Sequence, residues 1–157
     1  INQFSLYATF ENKEKLFERA LDFYFQKIIQ EWLVKPLIAP GAGKDALCEF
    51  FEVFVTPGDG TYPTGCMIFN TMTVDAGQRP EIKAITQRYE KLLVDSFANL
   101  LRHDLPDASE ADIHSKASML LCLMAGIAVK KRNGFEGQPL QIVIDQVIKS
   151  LYPEPVR

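Results

Sequence analysis

The feature that most constrains the fold of this 157-residue chain is the stretch 117–129, which is apolar on nearly every face. The pattern predicts a helix that begins at a Ser109 cap and ends at Asn133-Gly134. A helix without a polar face has to be buried on more than one side. In so short a chain one side can face the core and another a second copy, which predicts a dimer. A central position in a single bundle is the alternative.

Four other segments show apolar side chains at three- and four-residue steps, which is typical of amphipathic helices. These patterns cover residues 12–32, 45–55, 80–101 and 139–151 and are separated by loops that contain proline or glycine. The stretch 65–74 is apolar and β-branched, and we expect a helix there because no other segment offers a partner strand. The sequence therefore predicts an all-α fold.

The charge and the cysteines narrow the class of protein. The net charge of −3, from 17 basic and 20 acidic residues, argues against a protein that coats nucleic acid or anionic membranes without specificity. Cys48, Cys66 and Cys122 are widely spaced, which excludes a disulfide framework and suits a reducing compartment. The apolar run 117–129 is too short to span a bilayer, and we expect no signal peptide. A cytoplasmic protein is expected.

The residue types used in catalysis and metal binding form no familiar arrangement in this sequence. Segment 41–44, GAGK, lacks the first glycine, the hydroxyl residue and the preceding strand of a phosphate-binding loop. His103 and His114 have no cysteine or paired carboxylates at ligand spacing. No Ser-His-Asp or zinc-protease pattern is present. We therefore expect no enzyme, no metal and no other cofactor.

The beginning of the chain predicts a short helix with a polar outer surface. Leu6 and Phe10 lie one turn apart and are expected to face inward, while polar side chains between them face outward. Lys13 follows at the start of the next helix. Such a surface can contact the phosphates and base edges of DNA.

This segment also resembles a known motif. Residues 5–16 read S-L-Y-x-x-F-x-x-K-E-x-L, which is similar to the end of the helix-turn-helix of TetR-type transcriptional regulators. Residues 64–71, TGCMIFNT, resemble the G-C-L-x-x-N that opens a ligand-domain helix in one branch of that family. The resemblance implies that residues 1–33 end the DNA-binding domain, with a recognition helix and a connecting helix. Residues 34–157 would be the ligand-binding and dimerisation domain.

The family has two helices before its recognition helix, and the present sequence starts at the turn that follows them. These helices are either absent from the protein or outside this sequence, and we expect the second. By motif position, the resemblance implies contacts to base edges from Gln3, Phe4 and Thr9. It implies contacts to phosphates from Ser5, Tyr7 and Lys13.

The dimer is expected to form through the last two helices, which would stack against their symmetry mates. The side chains expected at this interface are Leu121, Ala125, Ala128, Val143, Val147 and Leu151.

The function that these features predict is a ligand-responsive regulator, expected to be a repressor, that binds double-stranded operator DNA as a homodimer. A small apolar or aromatic effector would release it. The effector site is expected where aromatic and flexible apolar walls meet two polar anchors. Its expected residues are Phe50, Phe54, Met67, Asn70, Met72, Tyr89 and Met119. The alternative is a helical small-molecule-binding protein or a thiol-based sensor using Cys66, without direct DNA binding.

Overall fold

The computed structural model describes residues 9–56, 65–74, 79–135 and 137–152. Every regular element within these ranges is helical, so the all-α prediction is confirmed. The α-helices are α1 (Lys13–Tyr24), α2 (Lys44–Val55), α3 (Met67–Val74), α4 (Pro80–Asp104), α5 (Glu110–Arg132) and α6 (Gln138–Leu151). The bounds of α2 to α6 lie within a few residues of those that the sequence predicts.

The helices begin at residues that suit a helix N-terminus. The Asn12 side chain accepts a hydrogen bond from the Lys15 N–H at 2.8 Å, which caps α1. The Ser109 hydroxyl accepts one from the Asp112 N–H at 3.2 Å and caps α5. Pro80 occupies the first turn of α4, where a missing N–H costs nothing. The sequence signals therefore set these starts correctly.

The first helix differs from its prediction. After Tyr24 the chain continues without a break as the π-helical segment (Phe25–Val34), followed by a 3₁₀ turn at Lys35–Ile38. The sequence predicts ordinary α-helix through residue 32, which is wrong in its winding. Apolar residues at four-residue steps, Phe25 and Ile29 among them, suit both windings, so periodicity cannot distinguish them. π-helices longer than a single turn are rare.

The core lies between α4, α5 and the shorter helices that cover them. α4 and α5 are joined by a short loop and pack against each other. The rings of Phe50 and Phe51 on α2 lie 5.1 Å apart, and Phe97 on α4 meets the Phe50 ring edge-on at 5.3 Å. This aromatic cluster fixes α2 against α4.

Within one protomer, α5 is buried on one side only. Met124 and Ile127 belong to its core face, while Met119, Cys122 and Val129 are exposed on the other. By length and composition alone α5 could cross a membrane, and a core helix of a soluble protein meets the same criterion. The apolar character of this helix is therefore only partly used by the protomer.

Candidate functional site

Of the six residues predicted to contact DNA, two lie within the described part of the chain. The described part of the chain shows Thr9 and Lys13 as exposed residues next to α1. The remaining four lie outside the described residues; they are Gln3, Phe4, Ser5 and Tyr7.

A tight turn joins the visible end of this segment to α1. Glu11 has a φ of 67°, in the left-handed region that non-glycine residues seldom adopt. The Asn12 N–H donates to the Phe10 carbonyl at 2.8 Å, and the Arg19 guanidinium lies 5.7 Å from the centre of the Phe10 ring. These contacts hold Phe10 against the start of α1.

Lys13 occupies the first position of α1 and is exposed. The helix N-terminus carries a partial positive charge and unpaired N–H groups, and a lysine beside it adds a full charge. This combination suits a phosphate group. The position of Lys13 is therefore compatible with the phosphate contact suggested by the sequence.

A second candidate site is a cavity of about 30 Å³ beside the π-helical segment. It has room for about one water molecule. The π-helical segment forms one wall, and the end of α2, the residues just before α3 and the C-terminal half of α5 form the others. The lining residues are Tyr24, Ile28, Ile29, Trp32, Leu33, Val53, Phe54, Gly65, Cys66, Met124 and Lys131.

Three polarisable groups meet at one side of the cavity. The Cys66 sulfur lies 3.5 Å from the Tyr89 hydroxyl, which in turn donates to the Met124 sulfur at 3.8 Å. Burial, and then the nearby Cys66, raise the pKa of Tyr24 and of Tyr89 well above the usual range. Both phenols are therefore neutral hydrogen-bonding groups at physiological pH.

Lys131 brings one charge to the cavity wall. Its side chain is only 7% exposed, and the ammonium donates to the Thr56 carbonyl at 3.4 Å. A buried ammonium opposes the entry of a second positive charge. The cavity is thus apolar, with a neutral polar side and one cationic residue.

The structure brings together few of the residues predicted to bind an effector. Phe54 lines the cavity, and the Tyr89 hydroxyl reaches it through Cys66. Phe50 belongs to the aromatic cluster at α4, and Met119 is 39% exposed on α5. The remaining three, which are half-buried on α3, are Met67, Asn70 and Met72. The seven residues do not form one pocket lining.

Sequence reasoning missed most of the cavity wall. Trp32 was expected on the buried face of a long α-helix, and the structure leaves it 45% exposed at the cavity. Lys131 gave no signal, because a lysine near a helix C-terminus is usually exposed. Met124 lines the cavity. Its flexible apolar side chain is the same signal that favours Met67, Met72 and Met119, so residue type could have predicted it.

The predicted interface residues fall into two groups. Val143 is exposed, and Leu121, Ala125 and Val147 are half-buried. Ala128 and Leu151 are buried in the protomer's own core, at 1% and 0% exposure, and have no surface left for a partner. These two residues therefore drop out of the proposed interface, because the apolar pattern alone could not separate core from interface.

The thiol hypothesis gains little from the structure. Cys66 precedes α3, as expected, but is only 2% exposed, and buried thiols behave as small apolar groups. Among the residues that the structure describes, no three His, Cys, Asp or Glu side chains are grouped to hold a metal ion.

Comparison with known proteins yields one informative similarity. No family model matches the chain, and no solved structure gives a significant match. The HTH-type transcriptional repressor ComR of Escherichia coli (strain K12) is 24% identical over 161 residues, covering 98% of this chain and 74% of the repressor. The chain is therefore similar over nearly its whole length to a repressor of transcription. This similarity supports a DNA-binding regulator in general.

Proposed function

We propose that this chain belongs to a TetR-type transcriptional repressor that binds operator DNA as a cytoplasmic homodimer and is released by a small effector. The observation that carries the proposal is the similarity to a helix-turn-helix repressor over 98% of the chain. The all-α fold and the motif at residues 5–16 agree with it.

The geometry at the start of α1 supports the DNA-binding part of the proposal. Lys13 offers an exposed ammonium at a capped helix N-terminus, where a DNA phosphate would be favoured. The turn at Glu11 connects this helix directly to the segment that resembles a recognition helix. A phosphate held at Lys13 would fix the register of that segment on the duplex.

The exposed apolar surface supports the dimer. Met119, Cys122 and Val129 form one exposed row along α5, at steps of three and seven residues. Ile142 and Val143 are exposed on α6, which packs against α5. Contiguous apolar surface of this kind marks an interaction site, and a two-fold pairing of both helices would cover it.

Release from DNA would follow from a movement of α1 in each subunit. The two recognition segments of a dimer must match successive major grooves, so their separation controls affinity for the operator. An effector changes this separation only if it binds one arrangement of α1 more tightly than the other.

The phosphate role of Lys13 is tested in the complete protein by measuring operator affinity at several salt concentrations. We expect Lys13→Ala to weaken binding about equally for all sequences and to reduce the slope of log K against log salt by about one unit. Lys27→Ala is the matched control, because Lys27 is also exposed but lies in the π-helical segment, where it pairs with Glu31.

An unchanged slope for Lys13→Ala would remove this residue from the phosphate contacts. A wider test is selection of genomic duplex fragments by the complete protein. No enrichment above background would contradict the regulator proposal and favour a helical ligand-binding protein that does not contact DNA.

A further inference from the structure

The π-helical segment and the cavity are neighbours, and their proximity suggests a joint role. Ile28, Ile29, Trp32 and Leu33 all belong to the π-helical segment and all line the cavity. π-helical turns occur frequently at functional sites and cost stability relative to α-helix. Ten residues wound in this way form a cavity wall whose backbone hydrogen bonds would improve if the segment rearranged to α-helix.

Rewinding this wall would change both the position and the orientation of α1. Ten residues span about 15 Å and make about 2.8 turns as an α-helix. With hydrogen bonds between residues five apart, the same residues make fewer turns and form a shorter segment. Each turn that converts from π to α therefore rotates α1 and pushes its N-terminal end away from the 3₁₀ turn at Lys35–Ile38.

We propose that the cavity binds a compact, uncharged apolar or aromatic molecule, and that this ligand is accommodated by rewinding of the π-helical segment toward α-helix. The inference rests on the proposed function, for which it supplies the class of effector and the moving element. At about 30 Å³ the cavity is too small for such a molecule as it stands, so a wall has to move.

The lining selects the chemistry of the ligand. Most of it is aliphatic or aromatic, and the Tyr24 hydroxyl and the Cys66 thiol provide one neutral polar side. A single hydroxyl or N–H group on the ligand could be satisfied at the Tyr24 side, while a charged group would lose its hydration in an apolar space.

Trp32 makes the binding step measurable. It is the only tryptophan in the 157 residues and lies at the cavity, about half exposed. We expect toluene and phenol to shift its fluorescence to shorter wavelength in a saturable manner, and benzylamine to have no effect. No saturable response to toluene or phenol, or tighter binding of benzylamine or benzoate, would overturn the proposed ligand class.

The location is tested by filling the cavity from the wall opposite the π-helical segment. Val53→Phe should weaken the toluene response at least tenfold, because the larger ring occupies the space. Val94→Phe, at a half-buried valine of α4 away from the cavity, is the matched control and should retain it. If circular dichroism shows that Val53→Phe is unfolded, Val53→Ile should give a smaller loss of affinity. An unchanged affinity in a folded Val53 variant would overturn the location.

The rewinding is tested with pairs of nitroxide labels on p-acetylphenylalanine, introduced at Ala20 and Lys35 in the complete chain. Both positions are exposed and flank the π-helical segment. Saturating toluene should lengthen their separation and leave unchanged a control pair at Ala84 and Asn99, equally spaced on α4. Binding without a change at the first pair would overturn the rewinding. None of these measurements uses DNA, so their failure is distinguishable from failure of the operator experiments.

Discussion

At the residue scale, Gly43 shows how one missing side chain permits a contact between distant parts of the chain. It precedes α2 and faces Asp104 at the end of α4, whose carboxylate accepts a hydrogen bond from the Tyr152 hydroxyl at 2.8 Å. A Cβ atom at position 43 would lie 2.7 Å from one Asp104 carboxylate oxygen. Asp104 would have to retreat, which would weaken its bond to Tyr152 and the contact of the clashing oxygen with the His103 Nδ1 atom, 3.0 Å away.

Gly43→Ala should therefore lower the free energy of unfolding by about 1 kcal/mol, the usual net value of a hydrogen bond. Urea denaturation of the wild type, the two single variants and the double variant measures this change in a double-mutant cycle. In an Asp104→Ala background the same change should be neutral or stabilising, because alanine restricts the unfolded chain more than glycine does. An equal loss in both backgrounds would show that the carboxylate is not the cause.

The candidate site shows what single residues reveal before a structure exists. The sequence predicts Phe54 as an aromatic wall and Tyr89 as a polar anchor of the effector site, and both lie at or next to the cavity. Met119 was chosen by the same reasoning and is exposed. Residue type predicts which kinds of side chain line a pocket. Which of them reach it depends on how the helices pack together, and local sequence patterns do not show this.

At the scale of elements, α4 and α5 are joined by several hydrogen bonds between one arginine, Arg102, and one carboxylate, Glu110. The Arg102 Nε atom lies 2.8 Å and 3.1 Å from the two carboxylate oxygens of Glu110, and a second guanidinium nitrogen lies 2.8 Å from one of them. These hydrogen bonds and the positive charge of Arg102 lower the pKa of Glu110 from its usual 4.5.

The stabilising effect of this pair should be lost in acid. Because the folded-state pKa of Glu110 is depressed, its contribution is complete above about pH 4.5 and disappears as the pH falls through the folded-state value. We expect Glu110→Gln to melt below the wild-type chain at pH 7, and the difference in melting temperature to shrink as the pH falls below about 4.5. Glu49→Gln, at an exposed position on α2, is the control. A melting difference that stays constant across this range would contradict the pH dependence.

The helices also show where sequence patterns stop being informative. Caps such as Asn12 and Ser109 act through contacts within four residues, so they can be read locally, and the starts of α1 and α5 follow them. The π winding of residues 25–34 leaves no local mark, because its buried residues keep a four-residue step. Only tertiary packing, such as that of this segment against α4, distinguishes the two windings.

At the scale of the whole molecule, the proposed dimer can be tested by placing a charge beside the exposed face of α5. Ala125 is half-buried next to this face. In a dimer, Ala125→Glu would bury a carboxylate without a partner, at a cost of several kcal/mol. We expect the wild-type chain to sediment as a dimer at tens of micromolar and the variant as a monomer.

Ala84→Glu provides the comparison, because Ala84 is an exposed alanine on α4, outside the proposed interface. This variant should sediment as the wild type does. A wild-type chain that stays monomeric would contradict the dimer and, with it, the control of operator affinity by the separation of two recognition segments. Circular dichroism of Ala125→Glu separates dissociation from unfolding.

The exposed cysteine on the outer face of α5, Cys122, affects how readily the protein is oxidised in solution. Cys122 lies in the apolar row of α5 and is a free thiol. In a two-fold assembly, a residue on the shared face is shielded by the partner copy, whereas in a separated subunit it meets solvent. The rate at which Cys122 is oxidised would then rise as the protein is diluted, because dilution favours separated subunits.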